Sequence, residues 1–341
     1  MEHTERDVFQ SMSGEEKQAI QKNAQELTKL LGFWASRYPV VRAKRVPPVA
    51  VLIATVLPLL PQSVALIVGK LILFIFAVDD LADERLLSLA DFNKAAQAWQ
   101  EIAQHGKARV NTVEDSGLSA MIGEIHDDLS QFPLFPDFVS LWASRLGQLC
   151  EAMAKEYTFG VEHQASGGQT LPPFDEYVAG GIHSVGFPFW GTSILILLSE
   201  PTTLVQLNKI NELILQTGAA IRLYNDVRTY QKEVQEANIN AITILQKALS
   251  GKLPDCSNEE LLGRAQANVL RLAGQYAENC FALSEQAVSD TGQFENMIRR
   301  IVAFHANFYG SQKHTFDYHT ISSSDTFSMI EGASQHKMPG G

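Results

Sequence analysis

Cysteine is scarce in this chain, and basic residues are outnumbered. Cys150, Cys256 and Cys280 stand far apart in 341 residues. An odd number at that spacing excludes a disulfide framework and a cysteine-based metal cluster, and it suits a reducing compartment, with a cytoplasmic location as the expectation. The 27 Lys and Arg against 38 Asp and Glu leave a formal net charge of −11. No basic face is on offer to nucleic acid. An anionic substrate stays open, because a bound cation inverts the local field. Strand-like alternation is missing, and so are internal repeats and a linker that would divide the chain. The start, Met1 to Asp7, is polar and mixed in charge, without the basic end and apolar core of a signal peptide. What is abundant is apolar material, at 45% hydrophobic against 19% charged, enough for a sizeable core.

Residues 48 to 78 are apolar enough to suggest a membrane span. Pro58, Pro61, Gln62 and Ser63 break the run, and Lys70 interrupts its second half. Neither half offers about 20 unbroken apolar residues, so two buried helices joined by a Pro turn are expected, with no stable membrane insertion. Helical periodicity predicts helices over 15–37, 49–60, 64–84, 87–105, 118–131, 137–162, 203–236, 240–249, 257–290 and 294 to about 320. Residues 174–199 are helical in composition but hold Gly180, Gly181, Gly186 and Pro188, which predict a kink or break. Polar loops are expected at 106–116 and 165–173, and a mobile Gly/Ser-rich tail at 322–341. The reading is an all-α single domain over 1–321.

The chain is organised around Asp79-Asp80-Leu81-Ala82-Asp83-Glu84, four acids at the end of a greasy helix. Asp79 and Asp83 fall one turn apart on one face, where like charges repel. Clustered carboxylate oxygens suit Mg²⁺, which keeps waters and shares its other positions with phosphate oxygens. A solvated helix end is the equal alternative by spacing alone. A second row lies on the 203–236 helix, where Asn225, Thr229 and Glu233 at i, i+4 and i+8 align an amide oxygen, a hydroxyl and a carboxylate. Taken alone, such a row is more often a solvated face. Yet the turns before it are apolar or small at Thr217, Gly218 and Ile221, so both rows begin where a buried stripe stops. Two such rows facing each other would make a rim of ligands above an apolar cavity.

These two stretches resemble the paired metal motifs of class I terpene synthases: an aspartate-rich motif (Asp79, Asp80, Asp83) and an Asn-Thr-Glu motif (Asn225, Thr229, Glu233) that carries Lys232 before its last Glu. The resemblance in helix layout covers nearly the whole chain. It implies an α-helical bundle around a central apolar pocket. It also implies three Mg²⁺ ions, with Asp79 and Asp83 binding two, Asp80 supporting them, and Asn225, Thr229 and Glu233 binding the third. Arg222, Lys232 and Arg228 would meet the diphosphate of a prenyl substrate. Ionisation would leave an allylic cation among π faces, with Phe76, Phe187, Trp190, Phe304, Phe308 and Tyr309 as pocket candidates and His183 as a partial cation or base. For any one of these a plain core role is the competing reading. The family expectation is a homodimer, for which the sequence gives no separate signal.

Two departures from the family stand out. Gly181 falls where many microbial members carry a diphosphate-sensing Arg, and no Arg occurs between Arg145 and Arg222. Near the C-terminus an Arg-Tyr pair is replaced by Phe308-Tyr309. Three readings follow: Arg222, Arg228, Lys232 and Lys313 carry the load, His183 substitutes, or the substrate is a bicyclic diphosphate supplied by a class II cyclase. Room left by the two glycines favours a C20 over a C15 substrate. The competing classes are a chain-elongating prenyltransferase, which would need a second aspartate-rich motif, and a non-catalytic membrane protein, which has no use for the rim.

Overall fold

The computed structural model describes residues 12–106, 117–236 and 238–310. Thirteen α-helices and one 3₁₀ turn, Ala43–Arg45, make up its regular structure, and no strand occurs among the described residues. In chain order the helices are α1 (Gly14–Ala35), α2 (Val46–Val56), α3 (Gln62–Asp83), α4 (Leu89–His105), α5 (Leu118–Leu129), α6 (Phe135–Ala165) and α7 (Phe174–Ser184). Then follow α8 (Phe187–Leu198), α9 (Thr202–Val205), α10 (Leu207–Gln235), α11 (Ala241–Lys252), α12 (Asn258–Ser284) and α13 (Gln293–Gly310). The expected all-α architecture is what is found. The tail at 322–341, Lys313 and the last helix beyond 310 fall outside the described residues, as do the loop positions 107–116 and the side chains of Phe308 and Tyr309.

Local chemistry explains most helix ends. Ser13 and Ser257 each open a helix with a capping box, exchanging hydrogen bonds with Glu16 and Glu260 three residues on. α2 begins at Val46, three residues before the expected start. Pro47 and Pro48 sit in its first turn, where their missing N–H groups would have had no partner. α12 stops at Ser284 rather than running to Asp290. The backbone N–H groups beyond it donate instead to buried carboxylates: Val288 and Ser289 to Glu295, at 2.7 and 2.9 Å, and Asp290 to Glu200 at 2.8 Å. The expected 203–236 helix divides at Gln206 into a short turn, α9, and the long α10.

One hydrophobic core joins these helices apart from the short α9, with Phe74, Trp99, Trp142, Phe187 and Phe189 among its fully buried side chains. Lys70, in the middle of apolar α3, is buried and reaches Glu124 (2.8 Å) and Asp128 (2.6 Å) on α5. Glu124 also accepts from Trp34 Nε1 (3.0 Å) and the Tyr38 hydroxyl (2.8 Å). The lysine that seems to interrupt a membrane span is therefore neutralised inside the protein, in keeping with the two-helix reading of 48–78. Among the described residues one apolar stretch, 174–198, is long enough to cross a bilayer, and 78% of its most apolar window is buried inside the structure.

That stretch breaks cleanly in two. Gly186 takes φ +76°, ends the run of α7 and lets α8 start with Pro188 in its first turn. A Cβ on Gly186 would lie 2.7 Å from Cγ2 of Ile75 on α3. The Gly186→Ala variant should therefore lose about 2–4 kcal/mol, roughly 1 from the left-handed backbone and the rest from overpacking, read as a lower urea midpoint with an unchanged slope.

Candidate active site

The ends of α3 and α10 meet across the mouth of a cavity of about 260 Å³, walled also by α2, α6, α7, α8 and α13. Helical phase does the positioning. Ile72, Ile75 and Phe76 line the wall in the turns before Asp79 and Asp83, which reach the mouth; on α10, Ile221 lies one turn before Asn225, Thr229 and Glu233. All five predicted metal-ligating residues thus line one cavity. Lys232 and Arg222 line it too, and Arg228 does not.

The acids at this mouth hold protons more tightly than isolated carboxylates. Asp79 is shifted well above the usual carboxylate range, first by burial and then by Asp83. Asp83 is pushed up to about 7, by loss of water on its inner side, then by Glu156 and by Glu233 from the opposite rim. Glu233 rises to about 7 through burial and then Asp226. Carboxylates that raise one another's proton affinity across a gap are short of positive charge, and a hard dication on oxygen donors would supply it. Among the described residues no three Asp, Glu, His or Cys side chains converge to hold an ion unaided. The amide of Asn225, the hydroxyl of Thr229, water and substrate oxygens would complete any coordination. The donor set fits Mg²⁺ shared with a phosphate.

Asp80 is set apart from its neighbours. It is not in the cavity lining but is clamped by Arg45, through Nε at 3.2 Å and a second guanidinium nitrogen, and by Arg42 Nε at 3.2 Å. Arg42 also pairs with Glu84. This grip fixes the end of α3, so Asp80 orients its neighbours rather than joining them at the mouth. Arg45 is 3% exposed, lines the cavity and lies 4.3 Å over the Phe76 ring.

The counterpart on α10 is Arg222. It pairs with Glu156 on α6 (3.0 Å) and Asp226 (3.2 Å) and donates to the Tyr177 hydroxyl, over whose ring it lies at 4.7 Å. Its course is set by Gly181. A Cβ there would come within 2.7 Å of Arg222 Cγ and 2.9 Å of Cδ. Arg222 therefore fills the space beside the position where the family's sensor Arg was expected and not found. This removes the argument that the two glycines enlarge the pocket: the space at Gly181 is taken, and Gly180 is not among the lining residues. Asp226 is fully buried, with its carboxyl raised to about 6 by burial and drawn back by Arg222. Asn240 caps α11 through Ile242 N (2.9 Å) and donates to Glu233 (2.7 Å) and to the Asp226 carbonyl (2.8 Å), which holds the end of the second motif.

Of the predicted pocket residues, Phe76 and Trp190 line the cavity; His183, Phe187 and Phe304 do not. Phe187 is core, edge-on to Trp190 at 4.8 Å. His183 answers to Arg145 and Glu151 on α6, and burial holds its pKa below the usual value. The residues that sequence reasoning missed are Arg45, Glu156, Tyr177 and His305, each delivered by an element with no motif of its own. Only Arg45 left a trace, in the cluster Arg42-Ala43-Lys44-Arg45 ahead of α2.

A helical bundle with two oxygen-rich rows above an apolar cavity is the architecture of a class I terpene synthase. The chain belongs to terpene synthase family 2, whose C-terminal metal-binding domain matches residues 70–260. It is 31% identical over 116 residues to ent-cassa-12,15-diene synthase of Oryza sativa subsp. japonica; that stretch is 33% of this chain and 14% of the rice protein's length. Its fold is similar to that of 2-methylisoborneol synthase from Streptomyces coelicolor, a structure in complex with Mg²⁺ and geranyl-S-thiolodiphosphate. The TM-score is 0.65 at 14% identity, covering 86% of this chain and 93% of that one. Abietadiene synthase from Abies grandis gives a TM-score of 0.64 at 17% identity, over 95% of this chain and 41% of that one.

Two outcomes are expected. Replacing Arg45 by Ala leaves Asp80 buried with only the half-open Arg42, and should cost about 3 kcal/mol in chemical denaturation. The raised acids give a pH signature. Groups whose folded pKa lies above the unfolded value bind more protons when folded, so stability of the metal-free protein should fall as pH rises from about 4 to 7. Millimolar Mg²⁺ should flatten that fall, and the thermal shift it causes should be larger at pH 7.5 than at pH 5. A Mg²⁺ shift independent of pH would contradict the assignment of these acids as the cation's partners.

Proposed function

We propose that this protein is a Mg²⁺-dependent class I terpene synthase, a carbon–oxygen lyase that ionises a prenyl diphosphate, releases diphosphate and forms a terpene hydrocarbon or alcohol. The observation that carries this is the pairing of Asp79 and Asp83 on α3 with Asn225, Thr229 and Glu233 on α10 around one cavity, close enough for Asp83 to feel Glu233. The metal-binding family and the Mg²⁺ complex of the Streptomyces enzyme support magnesium, with three ions as the expected number. Bound Mg²⁺ would neutralise charge gathering on the departing diphosphate.

The chain's own residues do the rest. Asp79, Asp83, Asn225, Thr229 and Glu233 hold the cations, while Asp80 keeps the end of α3 in place through Arg42 and Arg45. Arg222 and Lys232 meet the diphosphate from α10, and Arg222 is positioned to take over the role of the absent Arg at 181. Phe76 and Trp190 offer π faces to the cation left behind, beside the apolar lining residues Leu52, Ile72, Ile75 and Ile301.

A C20 substrate is favoured over C15 by the rice relatives, which are diterpene synthases. A bicyclic C20 diphosphate from a class II cyclase is the second reading, prompted by the two departures from the family's cations. Chain elongation is disfavoured because the α10 row is Asn, Thr and Glu rather than a second aspartate-rich motif. The synthase unit is taken as 1–321, followed by a tail at 322–341, and the protein as a cytoplasmic homodimer.

Purified protein with Mg²⁺ would be given geranyl, farnesyl, geranylgeranyl and bicyclic C20 diphosphates separately, with products read by gas chromatography and mass spectrometry. Asp79→Ala and Asn225→Ala should each lower turnover by at least about a hundredfold while helical circular dichroism is retained. Turnover kept in both variants would sink the assignment.

A further inference from the structure

Of the two carboxylates that hold Arg222, only Glu156 belongs to the cavity lining. Asp226 is fully buried on α10 itself and is fixed there: its Oδ2 accepts from Ala241 N at 3.3 Å, and its Oδ1 lies 3.3 Å from the Tyr177 hydroxyl. Glu156 comes from α6, belongs to neither motif, and has a side chain 25% exposed. Its Oε1 lies 3.0 Å from Arg222 Nη1 and accepts from Ser184 Oγ at 2.8 Å, while Arg222 Nη1 donates to the same Oγ at 3.4 Å. Arg222, Ser184 and Glu156 thus close a triangle that ties α10, α7 and α6 together, and all three line the cavity.

The strong grip of a guanidinium on phosphate uses two N–H groups in parallel. On Arg222, Nη2 already donates to the Tyr177 hydroxyl, Nε lies 3.2 Å from Asp226, and Nη1 is held in the triangle. An anion entering from the cavity gains a two-point hold only by displacing a partner, and Glu156 is the carboxylate partner that shares the cavity with it. The shaft of Arg222 packs against Gly181, where a Cβ would come within 2.7 Å of Cγ, so the guanidinium stays and its partner gives way. We propose that Glu156 is a latch on Arg222: it holds the guanidinium in the empty site, yields it to the substrate's diphosphate, and makes that exchange depend on Mg²⁺. The dependence follows from charge. A carboxylate released beside an incoming diphosphate adds to a mouth already short of positive charge, where Asp83 feels Glu156 even more than Glu233. A dication at the mouth offsets both anions, and diphosphate without metal is refused. Glu156 is therefore a positioning residue, acting through Arg222. The latch rests on the reading of Arg222 as a diphosphate contact.

The test titrates inorganic diphosphate calorimetrically into the full chain, once with EDTA and once with Mg²⁺. Wild type is compared with Glu156→Gln and Glu156→Asp, each checked for helical content. Gln removes the charge; Asp keeps it but is one methylene too short to hold Arg222. Asp226 still pairs with Arg222 in both variants. Without metal, Glu156→Gln should bind diphosphate about tenfold more tightly than wild type, with Glu156→Asp between them, and with Mg²⁺ all three should agree within about twofold. Adding Arg222→Gln to Glu156→Gln should abolish the metal-free gain. Equal metal-free binding by wild type and Glu156→Gln, an Asp variant indistinguishable from wild type, or a gain that survives the loss of Arg222 would each overturn the latch. If Arg222→Gln alone binds diphosphate with Mg²⁺ as tightly as wild type, Arg222 leaves the diphosphate site, and the failure lies in the functional reading on which the latch rests.

Discussion

Several carboxylates held around one cavity set the terms for the rest of this molecule. Left to themselves Asp79, Asp83, Asp226 and Glu233 would push the helices apart or stay protonated, and the fold answers in two ways. In one, a guanidinium is brought to the charge: Arg45 to Asp80, and Arg222 to Asp226 and Glu156. Where the carboxylates face the open mouth the deficit is left standing, and their proton affinities stay high. A buried pair is costly to make and costly to break. Closing some pairs and leaving others open therefore separates scaffold from site within a single stretch of six residues, since Asp80 falls on one side of that line and Asp79 and Asp83 on the other.

Both rows of oxygen ligands were legible in the sequence because each is a local pattern: a helix repeats every 3.6 residues, and i, i+4, i+8 spacing is visible without any tertiary knowledge. The capping boxes at Ser13 and Ser257 are local in the same sense. The rest of the wall is not local. Arg45, Glu156, Tyr177 and His305 come from four separate elements, and nothing in their own neighbourhoods marks them as facing a common space. Among the aromatics, composition named Phe187 and Phe304 alongside Phe76 and Trp190, but only packing decides which ring faces the void and which lies in the core. The same holds for the two histidines. His183 drew notice beside the glycines, yet helix phase turns it toward α6, and His305 is the one in the lining.

Helix ends failed or succeeded for equally physical reasons. Prolines at 47 and 48 look like breakers and are in fact tolerated starters, because the first turn of a helix has no use for their N–H groups. The end of α12 was misplaced because its termination depends on Glu200 and Glu295, which reach in from other elements to satisfy the backbone. Such long-range capping leaves no mark on the sequence just before the end.

The contact between Gly181 and Arg222 ties the two positions to each other. The two sites share one volume, so neither can be altered as if the other were absent. An arginine introduced at 181 alone would meet the shaft of Arg222 and disturb both, and a small residue at 222 alone would leave Asp226 and Glu156 without their guanidinium.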